Sequence, residues 1–72
     1  MKTIKKLNKR QVAKNACKLI IESGHSIEFV ALSLCISERT IYHWQTGRSS
    51  PNVQHIYGLS QLFEVSMESI LA

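Results

Sequence analysis

Two cysteines, one proline and three glycines are few cross-links and few breaks for a chain of 72 residues. Cys17 and Cys35 form no Cys-x-x-Cys, and His25, His43 and His55 fall at no zinc-binding spacing. Neither a disulfide framework nor a metal site is expected, and nothing calls for a cofactor. The two thiols read as small, partly buried side chains in a reducing compartment. Apolar runs are short as well. The longest is Phe29 to Leu32, against the roughly 20 residues needed to span a bilayer. The basic start has no apolar stretch after it of the kind a secretory signal requires. The chain is too short to wrap a deep substrate cavity, and it carries no nucleophile–base arrangement or phosphate loop, so no enzyme is expected. A soluble cytoplasmic domain without membrane contact is the reading.

Acid is also missing, but only from one end. Lys2, Lys5, Lys6, Lys9, Arg10, Lys14 and Lys18 put seven positive charges into the first eighteen residues with no carboxylate among them. Residues 19–72 hold Arg39 and Arg48 against Glu22, Glu28, Glu38, Glu64 and Glu68, a net of −3. So basic a terminus suits an anionic partner, nucleic acid before others; a solvated tail is the plainer alternative. Residues 1–7 read as a basic segment, either flexible or laid along a partner, and residues 8–72 as the domain.

What is present is helical. Val12, Ala13, Ala16, Cys17, Leu19 and Ile20 recur largely at three- and four-residue steps up to Gly24. Asn8 can cap this first helix, with Gln11 in the place of a capping-box partner. Ser26 offers the cap of a second helix whose inward residues are Val30, Ala31 and Leu34. Ser37 caps a third, in which Ile36 and Ile41 occupy the positions of a hydrophobic staple, Trp44 turns inward and Gly47 ends the run. Past the loop Arg48–Pro51, a fourth helix has Val53, Ile56, Leu59, Leu62 and Phe63 on its apolar side. Gly58 lies inside it at a cost of about 1 kcal/mol against alanine. Ser66 starts a short fifth, with Val65 and Ile70 as a second staple pair. No stretch alternates with period two. The expected fold is an all-α, compact five-helix domain.

The second and third helices, joined by a tight turn, form a helix-turn-helix. Such a unit presents the outer face of its second helix to a major groove about 12 Å wide. On that face stand Glu38, Arg39, Tyr42 and His43. Arg39 suits a bidentate contact to guanine, or is a solvated charge. Glu38 can accept from cytosine or simply favour the helix N-terminus. Tyr42 and His43 reach bases or backbone, or are ordinary surface.

From residue 26 to residue 71, SIEFVALSLCISERTIYHWQTGRSSPNVQHIYGLSQLFEVSMESIL resembles the Cro/CI (XRE-type) helix-turn-helix domain, lambda-repressor-like in fold. The resemblance lies in Val30-Ala31, Leu34, Ile36-Ser37, Thr40-Ile41, Gly47, Pro51, the apolar positions of the fourth helix, and Val65-Ser66 with Ile70-Leu71. It departs from the family at Ile27, where a glutamine often contacts the backbone, and at Cys35, where glycine is frequent. It also has Ile20 and Gln45 in place of an arginine–glutamate pair. The resemblance implies a sequence-specific regulator binding double-stranded DNA, a small repressor such as phages and mobile elements carry. Ser37, Thr40, Arg48 and Ser50 are then expected at the DNA backbone, with Lys2, Lys5 and Lys6 as an arm along it. A homodimer through the fourth and fifth helices, including Tyr57 and Leu71, is expected too. The alternative on the same fold is a protein-binding module, such as an antirepressor that pairs with another regulator; Ile27 and the acidic body favour it.

Overall fold

The computed structural model describes residues 8–71. Five α-helices and no strand are found among them: α1 (Lys9–Ser23), α2 (Ile27–Leu34), α3 (Glu38–Thr46), α4 (Val53–Phe63) and α5 (Met67–Leu71). The expected arm residues Lys2, Lys5 and Lys6 lie outside the described residues.

Each helix starts where a short polar side chain can take up a free amide. Asn8, Ser26, Ser37 and Asn52 all hold extended backbone and accept from the N–H three residues on. Ser66 Oγ does the same for the Ser69 N–H at 3.2 Å. The expected partnership of Gln11 with Asn8 is only half realised. Gln11 gives its backbone N–H to Asn8 Oδ1 at 3.2 Å, but its side-chain amide turns along α1 and donates to Asn15 Oδ1 at 2.9 Å. Asn15 in turn donates to the Ile70 carbonyl at 2.8 Å, tying α1 to α5. The reciprocal capping box lies instead on α4. His55 N–H donates to Asn52 Oδ1 at 2.8 Å, and the Asn52 N–H donates to His55 Nδ1 at 3.2 Å.

Helix ends follow a common geometry. After α2, α3 and α4 one residue takes the left-handed conformation, and the next amide reaches back five residues. These closures are Ile36 N–H to Ala31, Arg48 N–H to His43 and Val65 N–H to Ser60. Gly47 fills the left-handed position after α3. Cys35 (φ 58°) and Glu64 (φ 54°) fill it after α2 and α4, each as an ordinary L-residue in a region that favours glycine.

The core joins all five helices: Val12, Ala13, Ala16 and Ile20 of α1, Val30 and Ala31 of α2, Ile41 and Trp44 of α3, Ile56 and Leu59 of α4, and Ile70 of α5. Both staple pairs contribute, with Ile41 and Ile70 buried and Ile36 and Val65 packed on them. α1 runs against α3, α4 and α5, so it forms the back of the domain behind the helix-turn-helix. Two expectations need correcting. Val53 is 72% exposed rather than inward, because it opens α4 before the helix reaches the core. Cys35 is exposed rather than partly buried, because its position at the α2 exit leaves the body; Cys17 is half-buried.

Gly58 faces α2 in a way that helix periodicity does not disclose. A Cβ there would stand 2.5 Å from Cδ2 at the end of the Leu34 side chain, which would have to turn aside to admit it.

Candidate nucleic-acid interface

α3 has two faces set by its spacing. Ile41 and Trp44 are turned into the core, 0% and 2% exposed, which leaves the opposite side of the helix in solvent. Trp44 stacks at a tilt on the His55 ring, centroids 5.4 Å apart, and is a core residue as its position in the pattern predicts.

On the solvent side Glu38, Arg39, Tyr42 and His43 line one shallow concavity together with Thr46 and Arg48. The four expected base-reading side chains are therefore brought together. Tyr42 is 48% exposed, so its ring and hydroxyl both reach solvent; His43 is half-buried. Thr46, one turn beyond Tyr42, joins this face without any motif in the sequence to mark it. It donates its hydroxyl to the His43 carbonyl at 3.3 Å and so sits against the end of the helix.

The expected backbone contacts are distributed around this face. Ser37 Oγ accepts from the Thr40 N–H at 3.3 Å and lies 3.0 Å from Thr40 Oγ1, so the two hydroxyls form one polar pair at the start of α3. Arg48 is exposed just past Gly47. Ser50 is not on the α3 concavity. It stands in a separate hollow with Lys9, Arg10 and Arg48. Lys9 and Arg10 carry charge in the sequence, but nothing in their spacing predicts that the first turn of α1 meets the loop after α3.

Ile27, the departure at the start of α2, is half-buried and packed on the core, so it does not present an apolar side chain to a ligand. Ile20 is 2% exposed in the core, and Gln45 is exposed beside Lys14, Cys17 and Lys18. The missing arginine–glutamate pair is thus replaced by apolar burial on one side and a neutral amide on the other.

Positive charge is confined to part of the molecule. The described cations are Lys9, Arg10, Lys14 and Lys18 on α1, Arg39 on α3, and Arg48 in the loop that follows. α2, α4 and α5 carry none; of the five glutamates, Glu28, Glu64 and Glu68 lie on or at the end of these three helices, while Glu22 and Glu38 stand on α1 and α3 among the cations. No ion pair among the described residues engages these cations. Among the described residues, no group of three or more His, Cys, Asp or Glu side chains could hold a metal, and no helix is long and apolar enough to cross a membrane.

No curated protein and no solved structure matches the chain. A helix-turn-helix family model, HTH_3, matches residues 18–70, from within α1 to α5. The match covers more than half of the chain and includes the whole of α2, α3 and the turn between them. This chain belongs to the helix-turn-helix family, as a DNA-binding domain consistent with the Cro/CI type.

Proposed function

We propose that this domain is a sequence-specific transcriptional regulator of Cro/CI type, a small repressor that reads the major groove with α3. The observation that carries this is the shared concavity of Glu38, Arg39, Tyr42 and His43 on the solvent side of a helix whose other side is core. Long and hydrogen-bonding side chains on a projecting helix suit base-edge readout, with Arg39 the candidate for a guanine and Glu38 for a cytosine. Ser37, Thr40, Arg48 and Ser50 serve the phosphates, and Lys2, Lys5 and Lys6 add sequence-independent attraction. Two copies pair through α4 and α5, where Tyr57 is 56% exposed, and address two half-sites about 34 Å apart.

A second reading, a protein-binding module that pairs with another regulator, is favoured by the outer side of α2. Leu32 is 72% and Phe29 43% exposed there, with Phe29 stacked on His25 at 4.6 Å.

The test is Arg39→Ala, assayed on a selected cognate duplex and on random duplex. A base contact predicts a loss of about 1–3 kcal/mol on the cognate site and relaxed preference at one base pair. Equal loss on both duplexes would take Arg39 out of base reading. Absence of any site preference in the unmodified chain would favour the protein-binding module.

A further inference from the structure

The hollow between the start of α1 and the loop after α3 has a chemistry of its own. Lys9 and Arg10 form one wall; Arg48, Ser49 and Ser50 form the other; buried Ala13 lies at its base. It is a notch of about 180 Å³, and no carboxylate lines it. Three positive side chains from two separate elements converge there, and no ion pair among the described residues relieves their repulsion. Such an arrangement gains from taking up an anion. The hydroxyls of Ser49 and Ser50 make no hydrogen bond within the described residues, so donors are available beside the charges.

Its place in the fold points to the anion. Arg48 lines both this notch and the α3 concavity, so the notch opens at the edge of the base-reading face. The first turn of α1 carries no acid, although a helix N-terminus favours one; it carries Lys9 and Arg10 instead. The start of α2, by contrast, offers the half-buried Ile27 in place of a polar contact.

Resting on the DNA-reading function above, we infer that Lys9 and Arg10 form with Arg48 and Ser50 a clamp on a backbone phosphodiester flanking the base pairs that α3 reads. The clamp supplies from α1 the backbone hold that the start of α2 lacks. It positions α3 in register without selecting sequence, because every phosphate looks alike.

The experiment is the full chain carrying Lys9→Gln and Arg10→Gln together, compared with the unmodified chain on cognate and random duplex over a range of salt. Glutamine keeps helix propensity, and both side chains are exposed, so an unchanged thermal midpoint verifies that the variant folds. The slope of log K against log salt should become shallower by about 0.9, the contribution of the one phosphate the clamp neutralises. Affinity should fall by the same factor on both duplexes, leaving site preference intact. An unchanged slope, with affinities within about two-fold of the unmodified chain, overturns the clamp while leaving α3 as the reader. A loss confined to cognate DNA overturns it as well, since phosphate contacts carry no sequence. If the unmodified chain binds neither duplex, the DNA-reading function fails and the clamp fails with it.

Discussion

Cys35 sits at the left-handed exit of α2 with φ 58° and ψ 42°, in the turn that aims α3. An L-residue there is strained by about 1–2 kcal/mol, which glycine would not carry. The backbone bonds from Cys35 and Ile36 back to Leu32 and Ala31 hold the conformation regardless. Part of the relief is offset because glycine has more freedom to lose on folding. Cys35→Gly should therefore stabilise the domain by about 0.5–1 kcal/mol, seen as a thermal midpoint a few degrees higher. A lower midpoint would show that the thiol makes a contact worth more than the strain. Trp44 is the opposite case, well packed but with its buried indole N–H lacking a hydrogen-bond partner among the described residues. An unpaired buried donor costs about 1–3 kcal/mol, which the burial of so large a ring outweighs.

At the scale of a helix, the start of α4 depends on a titratable cap. His55 Nδ1 accepts from the Asn52 N–H, so the ring must be neutral at that nitrogen. Burial beside Trp44 pushes its pKa below the ordinary histidine value. The sign follows from linkage. The folded state prefers neutral His55, so its contribution is complete above the unfolded pKa of about 6.5 and is lost as pH falls through the lower folded value. The loop holding Arg48 and Ser50 runs straight into this cap, so protonation of His55 should weaken the hold on that segment. Glutamine suits the same capping-box position without titrating. His55→Gln should flatten the dependence of the thermal midpoint on pH between neutrality and about pH 5. Parallel curves for the two proteins would show that the His55 cap adds nothing to acid sensitivity.

Over the whole molecule, the placement of positive charge bears on how DNA would be met. Arg39 and Arg48 line the α3 concavity, Lys9 and Arg10 the adjoining notch and Lys14 and Lys18 a hollow beside Gln45, while α2, α4 and α5 carry no cation. If Lys2, Lys5 and Lys6 join these cations on the backbone, about 4–6 phosphates should be neutralised by each chain, for an expected salt slope of about −4 to −5. Truncating those three lysines to alanine should reduce the slope and weaken binding on all sequences alike while preserving site preference. If the truncation abolishes all DNA binding, and no preference existed before it, the N-terminal segment was the sole contact and the protein-partner reading leads. The domain is small, so it buries only about 60% of its unfolded surface and has little stability in reserve. Strain and caps of about 1 kcal/mol therefore matter to the population that can bind.

Much of this was legible in the chain itself, because local rules govern it. The apolar spacing of α1 and α3, the caps at Asn8, Ser26 and Ser37, the glycines at residues 24 and 47, and the two staples each depend on residues a turn apart. That Ile41 and Trp44 turn inward while Glu38, Arg39, Tyr42 and His43 turn outward follows from about 3.6 residues per turn. What depends on residues far apart was settled by packing alone. Gly58 faces Leu34, Asn15 is a tie to Ile70, and Ile27 is a half-buried side chain packed against the core. Even the His55 cap, local in its hydrogen bonds, takes its depressed pKa from burial beside Trp44. The meeting of Lys9 and Arg10 with Arg48 and Ser50 is of this kind. The two walls of that notch lie far apart along the chain, and only the docking of α1 against α3 brings their charges together.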